Sequence, residues 1–333
     1  MAQAYDAIIA TITVASDASQ VVKTMVKSTT WREGTSGTWL STNCTLTAGN
    51  TYQFRTPLSG MGSGSTAILP NIKASVTVDW DTTATPISTL ENYFMFSYAD
   101  SCTNLTSLSV PDTSGLTSVG TYFMSSYAYG CSGLTSLSVP DTSGLTSVGD
   151  DFMSCYAMSC TNLTSLGVPD TSGLTSVGDY FMNYYAYGCT NLTSLSVPDT
   201  SELTSVGDYF MYSYAYDCSS LTSLSVPDTS GLTSVGSYFM AFYASYCSSL
   251  TSLILPDSTG WFGSNNIDWS VPAARLGYLN GYTPDSTSQT AWRALTVFGK
   301  TLYTNYIRAE DHVLLSTTPV IGAKYPLPPF RIS

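Results

Sequence analysis

Cysteines fall at positions 102, 131, 160, 189, 218 and 247, each 29 residues after the last. Between them one phrase recurs with few changes. A clear copy is Cys131 to Met158, CSGLTSLSVPDTSGLTSVGDDFMSCYAM. A period of this size, kept without insertion or deletion, specifies a stack of equivalent units, none of which can bury its apolar face alone. The phrase is entered in mid-unit at Ile87 and left after Asp257. Three segments are therefore expected: residues 1–86, the array 87–257 with five full periods and a half-turn at each end, and residues 258–333.

Each unit divides by pattern. Leu105–Val110 (LTSLSV) alternates apolar and small polar residues, the mark of a short strand with one buried face. Pro111-Asp112-Thr113-Ser114-Gly115 is turn chemistry: proline fixes φ, aspartate and serine bond nearby backbone, and glycine allows positive φ. Leu116–Val119 reads as a second short extended segment, and Gly120 as a bend. Phe123, Met124, Tyr127, Ala128 and Cys131 then lie at i, i+1, i+4, i+5 and i+8, which is helical spacing. The expected fold is an α/β solenoid of parallel short strands and short helices. It stands between a mainly β N-terminal domain and a small α+β C-terminal cap.

In the N-terminal segment, residues 7–14, 38–40, 51–55 and 74–80 read as strands and residues 17–27 as a short helix. Its plainest role is to cover the open end of the array or to attach it, as a homo-oligomer or within a larger assembly. In the C-terminal segment, capping-box spacing from Ser286 to Gln289 predicts a helix over 288–300, followed by strands at 301–307 and 312–315.

Charge narrows the partners. No Lys or Arg occurs between Lys73 and Arg275, while fourteen Asp or Glu lie between residues 87 and 257. Nucleic acid requires clustered cations, and an anionic membrane surface requires the same, so both are excluded as partners of the array. No apolar run is long enough for a membrane-spanning helix, and the first residues carry no visible signal peptide.

Chemistry has little footing. The one histidine, His312, has no nucleophile motif beside it and reads as structural. The in-register cysteines read as a column of buried, reduced thiols; bridging them would need favourable side-chain vectors as well as proximity. No cysteine or histidine spacing suits zinc, and no cofactor or metal is expected. Asp112, Asp141, Asp170, Asp199, Asp228 and Asp257 form a ladder that reads as one Asx-turn per corner, with calcium as the alternative. The Thr106–Ser107 pair repeats in every unit, so ice binding is a minor alternative.

The units disagree at few positions: two after each Phe-Met and two after each Tyr-Ala. Their palette is Tyr, Ser, Gly, Asn, Asp, Ala, Phe, Met and Cys, with no Lys, Glu or Gln. On a helix these positions share one stripe. A Tyr/Ser-rich variable stripe resembles the composition of antibody paratopes, where tyrosine supplies rigid contact area. The candidate ligand-binding residues are Phe96, Asp100, Tyr129, Asn183, Tyr184, Tyr187, Tyr212, Tyr216, Asp217, Phe242 and Tyr246.

The phrase C-x-x-L-x-x-L-x-V-P…L-x-x-V-G-x-x-F…Y-A-x-x-C resembles the BspA-like branch of leucine-rich repeats over residues 87–257. It departs by two extra residues between the proline and the second leucine, and by about one helical turn's worth between Phe and Cys. The resemblance implies a cell-surface or secreted attachment protein. The lack of a catalytic motif makes it non-enzymatic, and its Tyr-rich faces suit a cell-surface glycan or protein receptor. With no signal peptide visible, a virion location such as a phage tail is the expected variant, alongside the extracellular surface. A structural spacer and a surface-polymer hydrolase are the rival readings.

Overall fold

The computed structural model describes residues 7–18, 20–22, 29–58, 69, 72–81, 88–225, 227–228, 231–240, 242–244, 246–247, 249 and 252–254, together with four two-residue strands between 282 and 308. The N-terminal segment is an antiparallel sheet. Its central strand β1 (Ala7–Val14) pairs with β5 (Thr51–Pro57) on one side and β6 (Ala74–Trp80) on the other. Strand β3 (Thr30–Glu33) adds beyond β5, and a second small sheet joins β2 (Gln20–Val22) to β4 (Cys44–Leu46). Period-two sequence makes these strands: Ala74, Val76, Val78 and Trp80 are buried while the residues between them are exposed. The expectation for 38–40 shrinks to one bridge, Leu40 with Trp31. The helix expected at 17–27 is absent at Gln20–Val22, which is strand. Two successive β-branched valines favour that choice, and residues 23–27 lie outside the described residues.

The free edge of β6 carries the sheet into the array. It pairs in parallel with β8 (Leu105–Leu108), which pairs in parallel with β10 (Ser136–Leu137). One six-stranded sheet therefore runs from β3 through β5, β1, β6 and β8 to β10. At the junction Trp80 stacks on Phe94 at 5.5 Å, and its indole N–H donates to the Asp112 carbonyl.

Each coil of the array has two strand walls. The Leu-Thr-Ser-Leu segments pair in parallel, Ser107 with Ser136, Ser165 with Ser194 and Ser223 with Ser252. The Leu-Thr-Ser-Val segments form a second ladder, Thr89 with Ser118 and Ser118 with Ser147, then Ser176 with Ser205 and Ser205 with Ser234. Every one of these pairs joins residues one repeat apart, so sequence period and hydrogen-bond register are the same quantity. At the corner, buried Thr113 donates to the Asp141 carbonyl of the next coil at 2.6 Å, and Thr142 repeats the contact to Asp170. At the bend, coils approach so closely that a Cβ on Gly149 would lie 2.5 Å from the Thr121 nitrogen.

The third wall is not helical; no helix occurs among the described residues of the array. In the second coil Tyr122, Met124, Ser126 and Gly130 all take left-handed φ between 49° and 68°. Short turns link them: Ser125 N–H donates to Tyr122 O and Tyr129 N–H to Ser126 O. The N–H groups of Tyr122, Ser126, Ala128 and Gly130 reach the next coil, at Asp150 O, Ser154 O, Tyr156 O and Met158 O, at 2.7–2.9 Å, while Met124 N–H donates back to Phe94 O at 2.8 Å. Consecutive tight turns bring residues back to one side about every four positions, so they satisfy the same apolar spacing as a helix. Spacing along the stack decides between them. Strand walls hold coils about 4.8 Å apart, whereas an α-helix is about 10 Å across. A helix in every coil would require the stack to fan open on that side, whereas here all three walls are hydrogen-bonded from coil to coil.

The interior is a set of identical-residue stacks. Phe94, Phe123, Phe152, Phe181, Phe210 and Phe239 stack at 5.4–5.6 Å. Tyr98, Tyr127, Tyr156, Tyr185, Tyr214 and Tyr243 do so at 5.3–5.5 Å. Each such ring pair contributes about 0.5–1.5 kcal/mol beyond its burial. From Tyr127 onward each buried phenol donates to the carbonyl 18 residues earlier, as Tyr127 does to Ser109 at 2.6 Å. Tyr98, in the first coil, is equally buried but its hydroxyl finds no partner. All eight cysteines are free thiols. Those at 131, 160, 189, 218 and 247 donate to the alanine carbonyl 32 residues earlier, at 2.7–3.1 Å. Burial pushes the Cys160 thiol well up and the Cys189 thiol to about 12.

In the C-terminal segment, Thr296–Val297 pairs antiparallel with Lys300–Thr301, where the end of a helix was expected. Such a strand pair needs partners across a turn that a capping-box signal does not report. The remainder of that helix, the expected strand at 312–315 and His312 lie outside the described residues.

Two outcomes follow. Tyr127→Phe should lower unfolding free energy by about 1–3 kcal/mol, since a buried carbonyl loses its donor, while Tyr98→Phe should be neutral or stabilising; denaturant titration separates them. A thiol-reactive chromogen at neutral pH should label no more than Cys155, the one half-exposed cysteine, in native protein, and all eight after denaturation.

Candidate binding surface

The turn wall sorts its residues by direction. Phe, Met, Tyr, Ala and Cys of each unit point inward and are buried. What remains at least partly outside are the residue before each Phe, one of the two after each Met (Ser97, Ser125, Ser154, Asn183 and Ser213 are buried), and the two after each Tyr-Ala. Coils are numbered one to six here by their buried phenylalanines, Phe94 to Phe239.

On coils four to six these outward positions carry aromatic rings that touch. Tyr180, Tyr209 and Tyr238 form one row, stacked at 4.8 and 4.6 Å. Tyr187 and Tyr216 stack at 4.7 Å, and Tyr246 follows at 4.9 Å with its ring tilted. Between these rows Tyr184, Tyr212 and Phe242 meet edge to face at 5.3 and 5.6 Å. Cross-contacts tie the rows together: Tyr184 to Tyr187 and Tyr209 to Tyr212, each T-shaped at 5.5 Å. The result is a three-row aromatic face. Tyr246 is its most open member, 67% exposed.

The middle row shows how the backbone accommodates bulk. Large rings alternate between the two positions after Met, at Tyr184 on coil four, Tyr212 on coil five and Phe242 on coil six, so no ring sits directly on another. The second position takes left-handed φ, 53° at Tyr184 and 59° at Phe242. Ser97, Ser126, Cys155 and Ser213 occupy it in the other coils. A bulky side chain there costs on the order of 1–3 kcal/mol of backbone strain. Tyr246, at φ 64°, sits where other coils place Ser, Gly or Asp.

The candidate residues therefore divide. Tyr184, Tyr187, Tyr212, Tyr216, Phe242 and Tyr246 converge on this face. Phe96 lies at the opposite end of the wall, against Tyr93 and Tyr122. Tyr129 stands by itself on coil two, 37% exposed. Asn183 is buried rather than displayed, and its Oδ1 has no partner. Asp100 bonds its neighbour Ser101, and Asp217 is a left-handed turn residue. The palette without Lys, Glu or Gln also has a backbone reason: left-handed turns select Gly, Asn, Asp and Ser, and no helix is present to favour helix formers.

Tyr180, Tyr209 and Tyr238 were not among the candidates. They precede the buried Phe, a position that is tyrosine in five of six coils, so a search for variable positions passes over it. The one exception, Asp151 on coil three, was the available signal.

Other ladders have structural uses. Asp112 accepts from Ser114 N–H and hydroxyl at 3.0 and 2.7 Å, and Asp141, Asp170 and Asp199 repeat this Asx-turn. The Ser114 hydroxyl and N–H hold the Asp112 carboxyl below its usual range. Thr135 and Thr193 hydroxyls donate to the threonine carbonyl of the preceding coil. Among the described residues no group of acidic, histidine or cysteine side chains is placed to hold a metal ion, and no helix is long and apolar enough to cross a membrane.

No curated protein and no solved structure matches the chain. One family model does, the BspA type leucine rich repeat region, in six copies over residues 89–268. Those copies cover the stacked coils described above, and the chain belongs to the BspA-type leucine-rich repeat family.

Proposed function

We propose that the protein is a non-enzymatic recognition protein, an adhesin displayed at a cell or virion surface, that binds a receptor through the aromatic face of coils four to six. The observation that carries this reading is the strained bulk at Tyr184, Phe242 and Tyr246. Packing does not require it, because Ser, Cys, Gly or Asp serve the same backbone position in other coils. Strain kept where a cheaper residue fits marks a selected surface. Repeat families of this kind serve in surface and protein-interaction roles, which agrees with the assignment.

Tyrosine suits the task. Its ring offers apolar area with few rotatable bonds, and its hydroxyl stays wet. Stacked neighbours hold each ring in place, so little side-chain entropy is lost on binding. The absence of cations from residues 74 to 274 removes polyanions from the candidate partners. A protein receptor fits such a rigid tyrosine face best. The N-terminal sheet, hydrogen-bonded to the first coil through β6 and β8, would act as cap and attachment point.

The test is a binding panel of microbial cells, their extracted surface proteins and their isolated glycans. A variant with Tyr184, Tyr187, Tyr212 and Tyr216 changed to Ser should keep its circular dichroism and lose at least tenfold in affinity, as expected when several anchor rings are removed. Tyr129→Ser should bind as wild type. Equal binding by wild type and the fourfold variant would remove this face from the function, and selective capture by glycans alone would replace the protein receptor.

A further inference from the structure

The row of outward tyrosines is interrupted once. The residues preceding the buried Phe are Tyr93, Tyr122, Asp151, Tyr180, Tyr209 and Tyr238. Where adjacent coils both supply tyrosine, the rings lie parallel within 11° and 4.6–4.8 Å apart. At coil three a carboxylate replaces the ring. Tyr122 and Tyr180 are therefore two coil steps apart, about twice the stacking interval. Parallel planes pack at about 3.5–4.0 Å, so one flat group fits between them and two do not.

The base of this gap is acidic. Asp151 is half-buried, with the Ser154 hydroxyl beside it. Burial, with the nearby charges of Asp150 and Asp179, pushes its carboxyl up to about 6. Asp150 and Asp179 are already engaged in the stack: Asp150 Oδ1 accepts the Asp179 N–H at 2.9 Å, and Asp179 Oδ1 accepts the Asp208 N–H at 2.8 Å. The negative potential reaches the walls, since Asp151 is the largest influence raising the Tyr122 phenol, to which Tyr180 also contributes. No basic side chain exists between Lys73 and Arg275, so the repeats themselves cannot neutralise this carboxylate.

The site asks for a group that is planar, one layer thick, cationic and able to meet a carboxylate edge-on. A guanidinium has all four properties: it is flat and permanently charged, stacks on aromatic faces and pairs with carboxylates in a fork. An ammonium has the charge without the plane. A neutral ring has the plane without the charge.

We propose that the gap between Tyr122 and Tyr180 is a receptor for one arginine side chain of a partner protein, its guanidinium sandwiched by the two phenol rings and paired with Asp151. The recognition reading above enters only in making the donor a partner protein; the slot stands on its own geometry. It also lies next to the aromatic face, sharing Tyr180 with it, so one protein surface could cover both.

The experiment titrates the full chain with Nα-acetyl-arginine amide and Nα-acetyl-lysine amide, following tyrosine resonances by NMR. The arginine compound should bind at least tenfold more tightly than the lysine compound and perturb Tyr122 and Tyr180. Asp151→Asn should weaken it at least tenfold. Asp151→Tyr should abolish it while leaving the fold intact, because tyrosine holds this place, at the same left-handed φ, in five other coils. Binding should fall as pH drops through about 6, where Asp151 takes up a proton; the charged and titratable groups around it are Asp150, Asp179, Tyr122, Tyr180 and Cys155. Equal affinity for the two compounds, no binding of either, or full binding by Asp151→Tyr would each overturn the proposal. A positive titration beside a failed cell-binding panel would leave the slot standing and remove the adhesin reading. The reverse result would do the opposite.

Discussion

Everything in the array depends on one distance, the spacing between coils set by parallel strand pairing. Two ladders per coil, Ser107 to Ser136 on one wall and Ser118 to Ser147 on the other, lock successive units into the same register. Once that spacing is set, identical side chains must lie directly above one another. Phenylalanine then stacks on phenylalanine and buried tyrosine on tyrosine, and each in-register cysteine from Cys131 onward reaches the alanine carbonyl of the coil before. The repeat is strict because a deletion of one residue in one coil would break every one of these columns together.

Hydrogen bonds from coil to coil hold the turn wall at the same distance, where a helix in each coil would need the stack to fan apart on that side. A wall that must advance by one strand spacing per coil has to spread its chain in the plane of the coil and hydrogen-bond along the stack. Alternating left-handed residues achieve this by turning N–H groups toward the next coil. Strain at non-glycine positions such as Met124 is offset by inter-coil hydrogen bonds and by full burial of the side chain. The scaffold is thus rigid where it is most strained, a favourable base for a contact surface.

The outward decoration of that wall follows the same stacking rule. Columns that are uniform inside become rows outside, and rows of exposed tyrosine stack as readily as buried ones. Filling every place yields the continuous face of coils four to six. Placing Asp151 where the other coils carry tyrosine interrupts that row once, at the proposed arginine slot. In a stacked architecture a single substitution changes a whole row, because each outward ring is packed on its neighbours in the adjacent coils.

The sequence by itself determined the period, the register, the strands at 7–14 and 74–80, the Asx-turn corners and the identity of the core residues. All of these are local chemistry or direct consequences of repetition. It also determined the absence of cations from the array. Only the tertiary structure decided between helix and turns at Phe123–Cys131, since both bring apolar residues to one side about every four positions and the choice lies in the inter-coil spacing. It alone decided which outward residues meet. Tyr184 and Tyr212 touch because they alternate positions on adjacent coils, while Asn183 turns inward. Tyr122 and Tyr180 lie on the coils either side of Asp151 and influence one another although 58 residues separate them in the chain. Contacts of that kind are set by the stacking axis, a direction that exists only once the coils are built.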